Sequence, residues 1–264
     1  MKSIALILTI FCSSSICSAQ EFNQFKSFDG TMIAYQDIGT GEPILLVHGF
    51  ISSGISWNQT ILKQQLLETG YRVIIPDLRG NGQSDKPIDP EKYANDAEIK
   101  DLMALAKHLS LESYMAIGYS RGSIVLAKLL TLDNRITKAA LGGMGIDFTN
   151  PDWNSRIMFA EAFGGKAALN NITEGAVNYA QSINADLEIL SLLQIYQPVT
   201  SIDALGSVKI PVLVIAGDED KDNGDPSSLA GVIPNSNLIL VPGDHNQTYK
   251  TEAFASKVFD FIQD

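Results

Sequence analysis

The run Ile117-Gly118-Tyr119-Ser120-Arg121-Gly122-Ser123 constrains this chain more than any other. It follows the extended apolar stretch Tyr114-Met115-Ala116 and precedes an apolar helical stretch carrying Ile124, Val125, Leu126, Ala127, Leu129 and Leu130. The pattern predicts a strand, a sharp turn and a helix. A serine at the apex of such a turn is forced into a strained backbone conformation, and glycines on either side let strand and helix approach closely. Gly118 and Gly122 stand at those positions. The turn lifts the Ser120 hydroxyl above the sheet edge and aims the Arg121 backbone N–H and the helix N-terminus at whatever that hydroxyl attacks. Ser120 is therefore a candidate nucleophile. The same letters would also serve a Gly-Ser turn that caps a helix, so the rest of the chain has to decide.

Around that turn, extended and helical patterns alternate. Residues 25–28 and 32–36 read as two antiparallel strands joined at Asp29-Gly30, a preferred hairpin pair. Ile44-Leu45-Leu46-Val47 is a continuous apolar run, the signature of a strand buried on both faces, and ends in His48-Gly49-Phe50. A helix over 57–69 stops at Gly70. Val73-Ile74-Ile75 is the next buried strand and feeds a loop over 77–85, while Ile99, Leu102, Met103, Ala106 and Leu109 recur at helical spacing. After the serine helix come a strand at 139–141, a helical insert from about 147 to 207, strands at 212–215 and 238–241, and a terminal helix with Phe254, Val258, Phe261 and Ile262 on one face. Such alternation predicts an α/β fold: a mostly parallel sheet with helices on both faces. Ligands bind such sheets at the carboxyl ends of the strands. Ser120, two histidines and several acids fall at that edge.

The chain has three histidines. His108 sits in a helix beside Lys107, off the apolar face, and is expected to be a solvated surface residue. His48 follows a buried strand and precedes a glycine, where its ring is expected to brace the loop. His245 follows the last strand, in Pro242-Gly243-Asp244-His245, and is the candidate base. A serine hydroxyl becomes a useful nucleophile when an imidazole takes its proton and a carboxylate holds the other ring nitrogen. The chain order serine, acid, histidine is the one expected on an open α/β sheet. Asp218, directly after Gly217, suits a local turn. Asp220 is the preferred acid, and Asp147 is the second choice.

The amino-terminus differs from the rest. Lys2, an apolar run from Ile4 to Phe11 and small residues ending Cys17-Ser18-Ala19 make the three-part pattern of a secretory signal peptide over 1–19. The apolar part is far shorter than the roughly 20 residues of a membrane span, so no stable membrane anchor is expected. Both cysteines lie inside that segment. The mature chain would then have neither disulfides, nor thiolate catalysis, nor Cys-ligated zinc. A formal charge of −11 and the absence of any basic run argue against a nucleic-acid partner. A small molecule is the expected partner, with no cofactor and no metal. Asn246-Gln247-Thr248 matches the glycosylation pattern beside the candidate base, which favours a periplasmic or culture-medium product of a cell that leaves the site bare.

With these residues in place, the sequence resembles the α/β-hydrolase family, in particular its compact esterase-like members. The resemblance rests on the His48-Gly49-Phe50 turn, the 77–85 loop, the turn at Ser120, residues 217–220 and His245, in the family's order. It implies Ser120 as nucleophile, His245 as general base, Asp220 as orienting acid, and the Phe50 and Arg121 backbone N–H groups as the oxyanion hole. It also implies a core made of 20–146 and 208–264, with the insert at 147–207 as a helical cap over the substrate. Asn81 and Gly122-Ser123 depart from the family pattern outside the triad. A serine at the turn disfavours epoxide opening and halide displacement, for which relatives use aspartate. The insert supplies Trp153, Ile157, Met158, Phe159, Phe163, Ile189, Leu192, Leu193, Ile195 and Tyr196, part of which should line an apolar pocket suited to a small hydrophobic ester or lactone. Arg156 is the one cation of the early insert that could meet a carboxylate, although a solvated helix charge is the commoner fate of arginine. Carbon–carbon or amide cleavage, peracid formation, and ligand sensing without turnover are the rival expectations on the same fold.

Overall fold

The structure, a computed structural model, describes residues 22–264. The expected signal peptide over 1–19 lies outside the described residues. Eight strands form one sheet: β1 (Asn23–Lys26), β2 (Met32–Ile38), β3 (Pro43–Val47), β4 (Arg72–Pro76), β5 (Tyr114–Tyr119), β6 (Ile136–Gly142), β7 (Val212–Gly217) and β8 (Ser236–Val241). Their spatial order is β1-β2-β4-β3-β5-β6-β7-β8. β1 pairs antiparallel with β2, and β2 antiparallel with β4; every later pairing is parallel. The apolar runs of the sequence explain this arrangement, because central strands sandwiched by helices need apolar side chains on both faces. All six residues of β5 and all six of β7 are buried.

One apolar layer packs α2 (Ala97–His108) and α3 (Arg121–Leu129) on the sheet, with Leu102, Leu105, Ile124 and Leu129 under them; the other packs α1 (Ile61–Glu68) and α9 (Glu252–Gln263), with Leu62, Leu66, Phe254 and Val258. Between β6 and β7 lie α4 (Asn154–Phe163), α5 (Thr173–Ser182), α6 (Leu187–Ile195) and α7 (Ile202–Gly206). α4, α5 and α6 share a cluster of their own, in which Phe163, Val177, Ile189 and Leu193 meet Tyr93 and the partly buried Phe50 and Ile51. The insert is thus seated on the loop that follows β3.

Boundaries differ from the sequence-based expectation in a few places, each for a local reason. β1 ends at Lys26, because Ser27 N–H and Thr31 O close the turn and leave Phe28 exposed. α1 starts at Ile61, since the Thr60 hydroxyl accepts from Lys63 N–H and caps it, after a separate 3-10 turn at Gly54–Trp57. His108 is the last residue of α2 and stacks on the Phe25 ring at 5.2 Å while remaining exposed. The remaining helix, α8 (Pro226–Val232), has Asp225 as its cap and Pro226 at its start. That Asp-Pro pair is a helix-start signal that reading for apolar periodicity passes over.

Candidate active site

Ser120 sits between β5 and α3 with φ 54° and ψ −127°, a conformation that residues with a Cβ rarely adopt. Two close approaches hold it there. A Cβ on Gly118 would come within 2.5 Å of the Gly122 carbonyl oxygen, and one on Gly122 within 2.7 Å of the His48 carbonyl oxygen. Only glycine fits either place. Ser120 N–H donates to the Gly142 carbonyl on β6, and the Ser123 hydroxyl donates to the same carbonyl, so the turn is tied to the neighbouring strand.

The loop after β8 brings His245 to this turn. Its Nε2 lies 2.9 Å from Ser120 Oγ, and its Nδ1 lies 2.7 Å from Asp220 Oδ2. Since the carboxylate can only accept, Nδ1 carries the proton and Nε2 is left to accept from the serine hydroxyl. Burial raises the Asp220 carboxyl, but the hydrogen bond and charge of His245, the Asp222 N–H and Lys221 outweigh it and hold the group below its usual range. Asp220 is therefore an anion at neutral pH. Asp147 makes no hydrogen bond to His245 among the described residues; its carboxyl lies against Gly224, where an added Cβ would come within 2.5 Å of it. Asp218 accepts from Gly243 N–H and serves the turn.

The structure also fixes the role of His48. Its Nδ1 lies 2.9 Å from the Gly49 carbonyl and its Nε2 accepts from Leu78 N–H at 3.1 Å. A carbonyl cannot donate and an N–H cannot accept, so the ring is the neutral Nδ1–H tautomer. Burial depresses its pKa further, against the opposing pull of Asp77 and the Gly49 carbonyl. The ring braces the β3 loop, and through it Phe50. Gly49 packs against the Ser120 side chain, where an added Cβ would stand 3.3 Å from Ser120 Cβ. Neither the Phe50 nor the Arg121 backbone N–H donates to another group among the described residues. Both belong to the wall of the cavity that holds Ser120.

Three neighbours went unnoticed in the sequence. Tyr119 donates its hydroxyl to the His245 carbonyl at 2.7 Å, and burial first, then the Asp220 charge, keeps that phenol protonated by raising its pKa. Its position directly before the serine was the available signal. Asn223 places its Nδ2 3.1 Å from His245 Nδ1 and 3.5 Å from Nε2, which lays the amide across the imidazole. The Arg121 guanidinium is buried and makes a two-fold bond to Glu98 at 2.8 and 2.6 Å, with a third bond to the Leu193 carbonyl at 2.9 Å. Nothing local in the sequence announces a partner 23 residues upstream.

Above Ser120 lies a cavity of about 880 Å³. From the insert it takes Trp153, Met158, Phe159, Ile172 and Tyr179, whereas Phe163, Ile189, Leu192 and Leu193 belong to the insert's own core. Ile157 and Ile195 border a smaller cavity of about 280 Å³. Among the described residues no group of three or more His, Cys, Asp or Glu side chains is placed to hold a metal, and no helix is long and apolar enough to cross a membrane.

Residues 42–156 match the family described as alpha/beta hydrolase fold. A non-heme haloperoxidase of Rhodococcus erythropolis is 26% identical over 273 residues, covering 89% of this chain and 97% of that protein. An epoxide hydrolase of Siraitia grosvenorii is 35% identical over 97 residues, which are 37% of this chain and 30% of that one. Among solved structures, an esterase from Exiguobacterium antarcticum superposes with a TM-score of 0.71 at 21% identity, covering 91% of this chain and 99% of that chain. The family match runs from β3 to the start of α4 and so includes the turn at Ser120, while the agreement of fold extends over nearly all of the described residues; the chain has the α/β-hydrolase fold.

Proposed function

We propose that the protein is an exported serine hydrolase that cleaves a small carboxylic ester or lactone through an acyl-enzyme. The observation that carries this is the unbroken line from Ser120 Oγ through His245 to Asp220, with contacts of 2.9 and 2.7 Å. Substrate enters with its carbonyl oxygen toward the Phe50 and Arg121 N–H groups. His245 Nε2 takes the Ser120 proton as Oγ attacks the carbonyl carbon, and the oxyanion so formed is held by those two donors. His245 then passes the proton to the departing alkoxide, leaving the acyl group on Ser120. A water molecule repeats the sequence on the ester carbon and gives its proton to Nε2. Collapse releases the acid and restores the serine hydroxyl. Asp220 holds the ring tautomer and offsets the imidazolium charge at each proton transfer. The helices of 147–207 cover the site, and their apolar side chains exclude water from it. Export rests on the tripartite sequence over 1–19, and mass spectrometry of the mature product finding a terminus near Gln20 tests it.

Steady turnover of 4-nitrophenyl butyrate that disappears in Ser120→Ala is the expected result. A single stoichiometric burst in the native chain would instead identify a ligand-sensing protein. A second reading is favoured by the Rhodococcus relative's name: hydrogen peroxide in place of water would attack the acyl-enzyme and leave as a peracid. Peracid release from acetate and peroxide, lost in the same variant, separates that activity from ester hydrolysis.

A further inference from the structure

The apolar pocket expected from the sequence is only part of the cavity. Gln194, near the end of α6, and Gln197, just beyond it, are each 5% exposed, and both line the cavity above Ser120. Among the described residues their side-chain amides bond to no protein group; the only bond between them joins Gln197 N–H to the Gln194 carbonyl of the backbone. Neither amide carries a polar atom that is fully enclosed and unpartnered, so each is open to the cavity it lines. Beside Gln194, on the wall shared by the large and the small cavity, lies Arg156 of α4. Its guanidinium has no carboxylate partner among the described residues, it donates to the Pro151 carbonyl, and its Nε is buried without any acceptor. Two amides and an uncompensated cation thus face the same space.

The charge of the wall points the same way. The chain has 30 acidic against 19 basic residues, yet the cavity is bordered by Arg156, Lys221 and Lys250 and by a single acid, Asp222, once the Arg121–Glu98 pair is set aside as self-neutralised. A neutral ester has no use for such a field, whereas a planar guanidinium with neighbouring amide donors matches a carboxylate. We propose that Arg156, Gln194 and Gln197 form a carboxylate subsite, and that the substrates are esters or lactones carrying a free carboxylate, such as half-esters of dicarboxylic acids. This rests on the serine hydrolase function proposed above and names its substrate class.

The test compares the mono-4-nitrophenyl esters of glutarate, adipate and suberate with 4-nitrophenyl valerate, hexanoate and octanoate. At one or more lengths the half-ester is expected to have a kcat/KM at least about tenfold above its neutral match, mainly through KM, with the preference shrinking as salt is added. Arg156→Met is expected to abolish the preference, lowering the half-ester value far more than the neutral one, and Gln194→Leu with Gln197→Leu to reduce it. The free dicarboxylate of the preferred length should inhibit the neutral-ester reaction competitively in the native chain and lose that inhibition in Arg156→Met, whose folding is checked by its melting curve. Neutral esters turned over at least as well as half-esters at every length would overturn the carboxylate subsite and leave the serine hydrolase standing. Turnover of neither series would overturn both.

Discussion

Replacing Ser120 by glycine should leave a more stable fold than replacing it by alanine, while both substitutions destroy activity. At φ 54° and ψ −127° the serine occupies a region open to glycine alone, and holding a Cβ there costs about 1–3 kcal/mol. Glycine removes that cost but gives back about 0.5–1 kcal/mol through the greater freedom of the unfolded chain. Both substitutions lose the hydrogen bond to His245, so it cancels in the comparison. Ser120→Gly should therefore exceed Ser120→Ala by about 1 kcal/mol, equivalent to about 2–4 °C in Tm for a domain of this size. At an unstrained position the order would be the reverse, with alanine the more stable. Urea midpoints and melting curves of the two variants read the difference, and kcat for both should fall by about a million-fold if the triad acts as a unit. An alanine variant more stable than the glycine one would mean that no strain is stored at the turn. An alanine variant that keeps a few per cent of activity would remove Ser120 as nucleophile.

Asp220→Asn should lower kcat by about 10⁴-fold near neutral pH, since the amide reverses the ring tautomer, and Asp147→Asn should change it less than about tenfold; the opposite ranking in steady-state assays would move the acid to Asp147. Glu98→Gln should cost about 3–5 kcal/mol, because it leaves the buried Arg121 charge without its counter-ion, and a fall in Tm of only a degree or two would contradict this. His48 has a folded pKa below its unfolded value of about 6.5, so its contribution is whole above that pH and is lost as pH falls below it, when the unfolded chain binds the proton first. Urea midpoints should therefore decline from pH 7 to 5.5, and His48→Asn should flatten the decline.

The parallel sheet was legible because its evidence is local: four- to six-residue apolar runs and a glycine-flanked serine say the same thing as the register they adopt. The meeting of Ser120, His245 and Asp220 was legible for a different reason. Strand ends on an open sheet share one edge, so position in the chain order stands in for distance; Asp220 after β7 and Asp147 after β6 both satisfy that order, and the spacing of Asp220 after Gly217 favours it. Where that rule fails, the sequence is silent. The insert's helices carry apolar residues on several sides, and no period separates Phe159, which faces the cavity, from Phe163, which packs within the insert. The buried glutamines were hidden in the same way. Gln194, near the end of α6, is buried by packing that no local pattern announces.

The Arg121 side chain joins the two halves of the site. Its backbone N–H is proposed to receive the oxyanion, and its guanidinium holds the Leu193 carbonyl, one residue before Gln194. A cation so deeply buried would be costly alone, and Glu98 offsets it with two parallel hydrogen bonds. That pairing leaves the guanidinium planar and fixed, with α6 bound to one edge and α2 to the other. Displacing α6 would break a charge-assisted bond inside the protein, worth more than a surface contact because water cannot replace it. The helix that carries Gln194 is thus anchored to the same residue that is proposed to supply an oxyanion donor. Substrate bound across the cavity would touch both ends of one rigid unit, so that the distance from its carboxylate to its scissile carbonyl decides whether the carbonyl oxygen reaches Phe50 and Arg121.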